Sequence, residues 1–178
     1  NPATTSGNIA SVVTLHHQEW IADSSIESIV FARSYGVFGI GAGAKVFRLP
    51  FTAYDSIGSR SGSGYIAEGV AAVNLSVRFF SLPRFEASVG ANVKGVVRYV
   101  SSGISAGQSA YSVPIDIGML LRFRFLPIRV IDPLNFSIGA SLRNFGQTNL
   151  ALDAPLPTRF SAGVAYAPFD SVLITGDF

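Results

Sequence analysis

The sequence predicts an all-β chain, an antiparallel up-and-down transmembrane β-barrel, from three observations. Polar and apolar residues alternate over unusually long stretches, charge is scarce, and long and short connections take turns along the chain. The clearest stretch is a hairpin of residues 65–80 and 85–100, joined through Ser81-Leu82-Pro83-Arg84. In its first arm Tyr65, Ala67, Gly69, Ala71, Val73, Leu75, Val77 and Phe79 share an uncharged face. Glu68, Asn74, Ser76 and Arg78 fall on the other, as the two-residue period of a strand requires. The second arm repeats this with Phe85, Ala87, Val89, Ala91, Val93, Gly95, Val97 and Tyr99 against Glu86, Ser88, Asn92, Lys94 and Arg98. Each arm keeps its register for roughly 16 residues. Strands in soluble domains average about 5–6, and a tilted membrane-spanning strand needs about 9–11.

Composition points the same way. Only 13% of the 178 residues are charged, where soluble domains carry about 25%. Hydrophobic residues reach 48% and mean hydropathy is +0.40, so the outer surface is expected to meet something other than water. No run approaches the ~18 apolar residues of a membrane-crossing helix, which leaves a closed barrel in a bacterial outer membrane as the way to span. The absence of cysteine removes disulfides, zinc-thiolate sites and thiol nucleophiles. A net charge of +2 argues for no nucleic-acid partner. The chain begins at Asn1, which suggests a processed chain or a fragment.

In chain order, residues 1–8 read as a short irregular lead-in in which Pro2 and Gly7 block regular structure, and residues 9–178 as barrel strands in one domain. A first strand is expected over 9–17 and a polar loop over 18–24. Strands at 25–34 and 36–49 meet at a tight turn near Tyr35-Gly36. In the second of these, Gly39, Gly41 and Gly43 alternate with Phe38, Ile40, Ala42 and Ala44. Glycines spaced in this way suit either close approach by another piece of backbone against the inner wall or bending of the wall itself. Long Ser/Gly-rich loops are expected at 50–64 and 101–111. Further strands follow at 112–125 and 133–146, then a loop at 147–157, a strand at 158–167, a turn at Pro168-Phe169-Asp170 and a last strand from Ser171. That makes about nine strands, part of a larger barrel. In a meander, the long connections at 18–24, 50–64, 101–111 and 147–157 gather at one end. The shorter ones at 35–36, 81–84, 126–132 and 168–170 gather at the other, as in outer-membrane barrels. Tyr65, Phe79, Phe80, Tyr99, Tyr111, Phe123, Phe125, Phe145 and Tyr166 lie near strand ends, where an interfacial girdle would sit.

No catalytic constellation is visible, and the chain reads as no enzyme, with no cofactor and no metal site. His16 and His17 are neighbours in a strand and point to opposite faces, so they cannot chelate one ion together. Gly39-Ile40-Gly41-Ala42-Gly43 lies inside a strand pattern with no helix start after it, unlike a phosphate cradle. The inward-facing charges carry more information. They are Glu68, Arg78, Glu86, Lys94, Arg98, Asp116, Arg122, Arg124 and Arg143, six basic against three acidic. Two explanations stand side by side: a lumen that attracts anionic solutes or the carboxylate head of a lipid, and ion pairs that neighbouring strands use to satisfy one another.

Four stretches resemble the long-chain fatty-acid transporter (FadL-like) family of outer-membrane proteins, in particular the branch that includes PorV-like barrels of secretion systems. They are Asn1-Pro2-Ala3, Val113-Pro114-Ile115-Asp116-Ile117-Gly118-Met119-Leu120, Ser137-Ile138-Gly139-Ala140-Ser141-Leu142-Arg143-Asn144-Phe145-Gly146, and Leu156-Pro157-Thr158-Arg159-Phe160-Ser161-Ala162-Gly163-Val164-Ala165-Tyr166. The resemblance implies a barrel of about fourteen strands with an N-terminal hatch in the lumen, to which Asn1, Pro2 and Ala3 would belong. It implies passive uptake of hydrophobic small molecules such as fatty acids, with the lipid bilayer as the other partner. The PorV-like branch implies a protein partner gripped by the long loops at 50–64 and 101–111. A soluble β-sandwich adhesin-like domain is the third expectation, and it would bury the apolar faces instead of exposing them.

Overall fold

A computed structural model describes residues 1–7, 11–101, 109–126, 134–146 and 156–178. Ten strands form a single antiparallel sheet: β1 (Ser11–Glu19), β2 (Ser25–Tyr35), β3 (Phe38–Tyr54), β4 (Arg60–Leu82), β5 (Phe85–Val100), β6 (Ala110–Ser112), β7 (Ile115–Phe123), β8 (Phe136–Phe145), β9 (Arg159–Phe169) and β10 (Val172–Asp177). Each pairs with its sequence neighbour except that β6 and β7 both pair with β5, so the sheet is an up-and-down meander with β1 and β10 at its two ends. The all-β up-and-down expectation is met.

The two faces differ sharply in exposure. Val73, Leu75, Val89 and Val93 are 64%, 56%, 43% and 54% exposed, whereas the side chains of Arg78 and Lys94 are 12% and 16% exposed. Among the described residues the buried hydrophobic side chains are Ala3, Ala87 and Val100, together with Pro2, Pro114 and Pro168. Buried polar residues outnumber them: Ser6, Ser24, Ser76, Ser88, Ser112, Asp116, Asn135 and Ser141. The accessible surface is 11453 Å², against roughly 8,300 Å² for a folded soluble monomer of this mass. The excess reflects a sheet whose apolar side has no second layer upon it.

Several elements differ from the sequence expectation. Residues 50–64 are not a long loop: β3 runs to Tyr54 and β4 starts at Arg60, with only residues 55–59 between them. Small Ser and Gly residues pair as readily as any once a ladder supplies partners, here Phe51 with Gly64, Thr52 with Ser63 and Ala53 with Gly62. Asp55 closes the tip, its Oδ1 accepting from the N–H groups of Ile57 at 3.0 Å and Ser59 at 2.8 Å. Pro50 is tolerated because its partner Tyr65 turns its carbonyl away, towards the Ser101 N–H, so the missing Pro50 donor lies on the side where β2 has already ended. Among the described residues, strand pairing with β2 and β5 stops at Ser25 and Val100, and this hairpin runs on for about 20 Å past those points.

Gln18 and Glu19 belong to β1, and residues 21–23 form a short 3-10 turn. The turn expected at 81–84 is reduced to Pro83-Arg84. Pro83 excludes the positive φ that favoured two-residue hairpin loops use, and a bulge between Arg78 and Phe80 adds the twist the strands need. The single arm expected at 112–125 is split by Pro114 into β6 and β7, which raises the strand number from nine to ten; β7 then ends at Phe123. Pro168 and Phe169 continue β9, and the turn falls at Asp170-Ser171. The loops expected at 101–111, 126–132 and 147–157 lie largely outside the described residues, as do residues 8–10 and Pro133.

Asn135 shows how the connection after β7 is held. Its side chain copies a strand residue: Oδ1 accepts from Phe125 N at 2.9 Å, and Nδ2 donates to Phe125 O at 2.8 Å and Ala167 O at 3.0 Å. This brings Phe125 within 5.4 Å of the Phe136 ring and 5.7 Å of the Tyr166 ring. Replacing Asn135 with Ala leaves three part-buried main-chain groups without their partner and should cost about 1 kcal/mol, read as a lower denaturant midpoint for the full-length protein. Asn135→Asp, which keeps only the acceptor, should cost at least as much. An unchanged midpoint for both would show that the staple contributes nothing.

Candidate functional site

The N-terminal segment is not irregular. Pro2–Ser6 form a 3-10 helix, for which Pro2 suits the first position because its missing N–H has no partner there in any case. Asn1 caps it: its Oδ1 accepts from Ala3 N at 3.0 Å and its carbonyl from Thr4 N at 3.2 Å. The helix lies on the polar face of the sheet, with Pro2, Ala3 and Ser6 buried.

What allows this close approach is a row of the smallest residues running straight across the sheet. Ser34 pairs with Gly39, Gly39 with Ser76, Ser76 with Gly90, Gly90 with Gly118, Gly118 with Ser141 and Ser141 with Ser161. A methyl group at Gly39 would collide with the Thr5 carbonyl, one at Gly90 with the Pro2 carbonyl, and one at Gly118 with the Asn1 side chain. The helix is also tied down by side chains. Asn1 Nδ2 donates to Met119 O at 2.8 Å and Ala140 O at 3.1 Å, and Asn74 Nδ2 donates to Pro2 O at 3.0 Å.

From Asn74 a polar network crosses the strands. Asn74 Nδ2 donates to Asn92 Oδ1 at 2.6 Å, and Asn92 Nδ2 to Asp116 Oδ2 at 3.2 Å. Asp116 Oδ1 takes Lys94 Nζ at 2.7 Å and Asn144 N at 3.0 Å, and Lys94 also reaches Asn144 Oδ1 at 2.6 Å. Asn144 adopts φ 58°, a conformation asparagine tolerates, where the β7–β8 ladder slips between Ile115 and Ile117. It passes the network on to Pro157 O and accepts from Thr158 Oγ1. A buried carboxylate with this many donors stays satisfied without contact with water.

The other inward charges named from the sequence sort clearly. Glu86 bridges Arg78 at 3.2 Å and Arg122 at 3.3 Å, and Arg78 also donates to Gly36 O. Glu68 and Arg98 pair at 2.9 Å but are about half exposed, so that pair contributes little, ~0–1 kcal/mol. Cross-strand pairing therefore accounts for Glu68, Arg78, Glu86, Lys94, Arg98, Asp116 and Arg122. Arg124 and Arg143 have no ionic partner among the described residues, and Arg143 lies beside Asn1. His17 pairs with Glu27 at 2.6 Å on the apolar side of β1, away from this face, and no metal-holding group of three or more His, Cys, Asp or Glu residues is present among the described residues.

The sequence profile of an uncharacterised protein family, UPF0164, matches residues 1–177. The chain belongs to the UPF0164 family. A curated UPF0164 protein of Treponema pallidum (strain Nichols) is 28% identical over 189 residues, covering 98% of this chain and 43% of the relative. The chain thus spans less than half the length of that relative. No solved structure matches. In UPF0164 terms, the matched stretch holds both the N-terminal helix and the strands on which it rests.

Sequence reasoning missed the small-residue row and the asparagines of the network. The row is a property of register across strands, so no single strand displays it. Asn74, Asn92 and Asn144 looked like ordinary polar-face residues. Lys45, unpaired among the described residues on the same face, was also passed over.

Asn74→Ala removes the donor to Pro2 O while leaving β4 intact. It should speed amide exchange at Thr4 and Gly7 about tenfold, as measured by hydrogen–deuterium exchange of the full-length protein. Gly90→Val should abolish protection of the helix altogether. Unchanged protection in Gly90→Val would mean the helix does not sit on the row.

Proposed function

We propose that the chain is part of an outer-membrane β-barrel that lets hydrophobic molecules such as long-chain fatty acids enter passively. The observation that carries this reading is the distribution of side chains on β4, β5 and β7: the exposed face is apolar and uncharged from Ala67 to Val77 and beside it, and the carboxylates of the other face are paired with Arg or Lys. Hydrocarbon makes the first face favourable, and a sheet in hydrocarbon must satisfy its edges by closure. On β4 the uncharged outward band runs from Ala67 to Val77, about 33 Å along the strand. With a barrel's tilt of about 40° this is about 25 Å tall, the height of the apolar band in such barrels. Aromatic rings cap it at both ends: Tyr65 and Tyr99 at 5.3 Å on one, Phe79 and Phe80 at 5.1 Å on the other. The strands that would join β1 to β10 come, in this reading, from the remainder of a protein the length of the treponemal relative.

In this account the long-loop end captures the solute, the N-terminal helix acts as the hatch it must pass, and no nucleotide is consumed. A second reading, a PorV-like barrel that binds a protein, is favoured by the β3–β4 hairpin, which projects beyond its neighbours with exposed Tyr54 and Ile57 at its tip. Uptake of radiolabelled oleate into liposomes containing the full-length protein separates the two. Transport predicts uptake clearly faster than into empty vesicles. Equal rates, together with a stoichiometric protein partner recovered by pull-down through that hairpin, would favour the second reading. A full-length protein that stays monomeric in buffer without detergent would exclude both.

A further inference from the structure

The outward face of the sheet changes character along the wall. In register with the uncharged band of β4, the first two strands carry charge. His17 of β1 and Glu27 of β2 share a row with Val46 and Gly69, and Arg33 of β2 shares one with Ile40 and Leu75. Glu27 and Arg33 lie on one strand, about 20 Å apart along it and about 15 Å apart in height at a barrel's tilt of about 40°. A hydrocarbon band about 25 Å tall that crosses β2 therefore contains at least one of them. Ionised side chains that face lipid at such depth are rare and destabilising, and elsewhere on the wall this chain avoids them.

Local contacts do not cover these groups. His17 Nδ1 lies 2.6 Å from a Glu27 carboxylate oxygen, yet the two side chains remain 59% and 56% exposed. Arg33 lies over the Tyr35 ring at 4.5 Å and has no ionic partner among the described residues. Between the two charged levels Val13, Leu15, Ile29 and Phe31 form an exposed apolar centre. An apolar centre bounded by polar groups is the anatomy of a protein contact.

The face also complements itself. Among the described residues, the formal charges on the outward side of β1 to β3 are Glu19, Glu27, Arg33 and Arg48, two of each sign. Copies of a membrane protein inserted the same way round are related by an axis along the membrane normal, so that equal heights meet. A two-fold copy then brings His17 to the partner's Glu27 and Arg33 to the partner's Tyr35 hydroxyl, and joins the apolar centres between them. A partner of another sequence would call for no such balance.

We infer that the outward face of β1 and β2 is the contact between two copies of this protein within the membrane, with Leu15, Ile29 and Phe31 at its centre and the His17–Glu27 and Arg33 levels at its polar ends. The inference rests on the membrane reading of the exposed face and not on transport.

The test uses the full-length protein in liposomes. Leu15→Cys treated with copper phenanthroline should give a disulfide-linked species of twice the monomer mass, and Val73→Cys should not. Bimane attached at Phe31→Cys should be quenched by brominated lipid several-fold less than bimane at Val73→Cys. Glu27→Leu combined with Arg33→Leu should raise the dissociation constant of the dimer about tenfold, read by single-molecule photobleaching across lipid dilutions. Quenching at Val73 should stay unchanged in that variant, which shows that it is folded and inserted. A monomer with Phe31 quenched as strongly as Val73 has lipid on this face and overturns the inference. A shielded Phe31 on a monomer has another protein or another part of the chain upon it and overturns it too, as does a double variant that dimerises like its parent. Weak quenching at Val73 would remove the membrane reading itself.

Discussion

A strand offers its two faces to two surroundings, and this chain keeps that division from Ala67 to Val77 of β4 and on β5, β7 and β8, while β2 places Glu27 and Arg33 on the apolar side. Everything else follows from holding register. Because alternate residues face the same side, the small residues of seven different strands can line up as Ser34, Gly39, Ser76, Gly90, Gly118, Ser141 and Ser161. A slip of one residue on β3, β4, β5 or β7 would put a larger outward-facing neighbour such as Phe38, Leu75, Val89 or Ile117 where the N-terminal helix now rests. The row is a groove only because the register is right.

The polar face is organised around satisfaction rather than strength. Asp116 is 5% exposed and accepts from a lysine, an asparagine side chain and a main-chain N–H. Ion pairs of this kind recover the cost of desolvation more than they add stability, and their value lies in fixing which strand meets which. The network marks the place where Pro114 interrupts the strand and Asn144 leaves the ladder, so it holds the sheet together where main-chain pairing lapses.

Much of the fold was legible because alternation is a strong signal over long strands. The faces of β4 and β5 could be written down residue by residue. Composition misled where it stood in for pairing: Gly62 to Gly64 looked like loop but found partners in β3. The alternating glycines of β3 suit either close backbone approach or bending of the wall, and Gly39 meets the first description. Gly41 and Gly43 are crowded by Asn74 and by the Ile29 carbonyl within the sheet itself. The candidate site was less legible, since a groove and a network are built by contacts between strands distant in sequence. Register shifts at Arg78 and Ile115 decide those contacts, and nothing local announces a bulge.

The claim on which the rest turns is that the uncharged face meets hydrocarbon while the opposite face does not. Single cysteines are readily placed, because the 178 residues contain none. Spin labels at Val73→Cys, Val93→Cys and Ile117→Cys in the full-length protein, reconstituted into liposomes, report their surroundings through collisions with oxygen and with a water-soluble nickel chelate. The account predicts high oxygen and low nickel accessibility at all three, with the opposite ranking at Ala72→Cys on the other face. Nickel-accessible labels at Val73, Val93 and Ile117, or labels there shielded from both reagents, would contradict it.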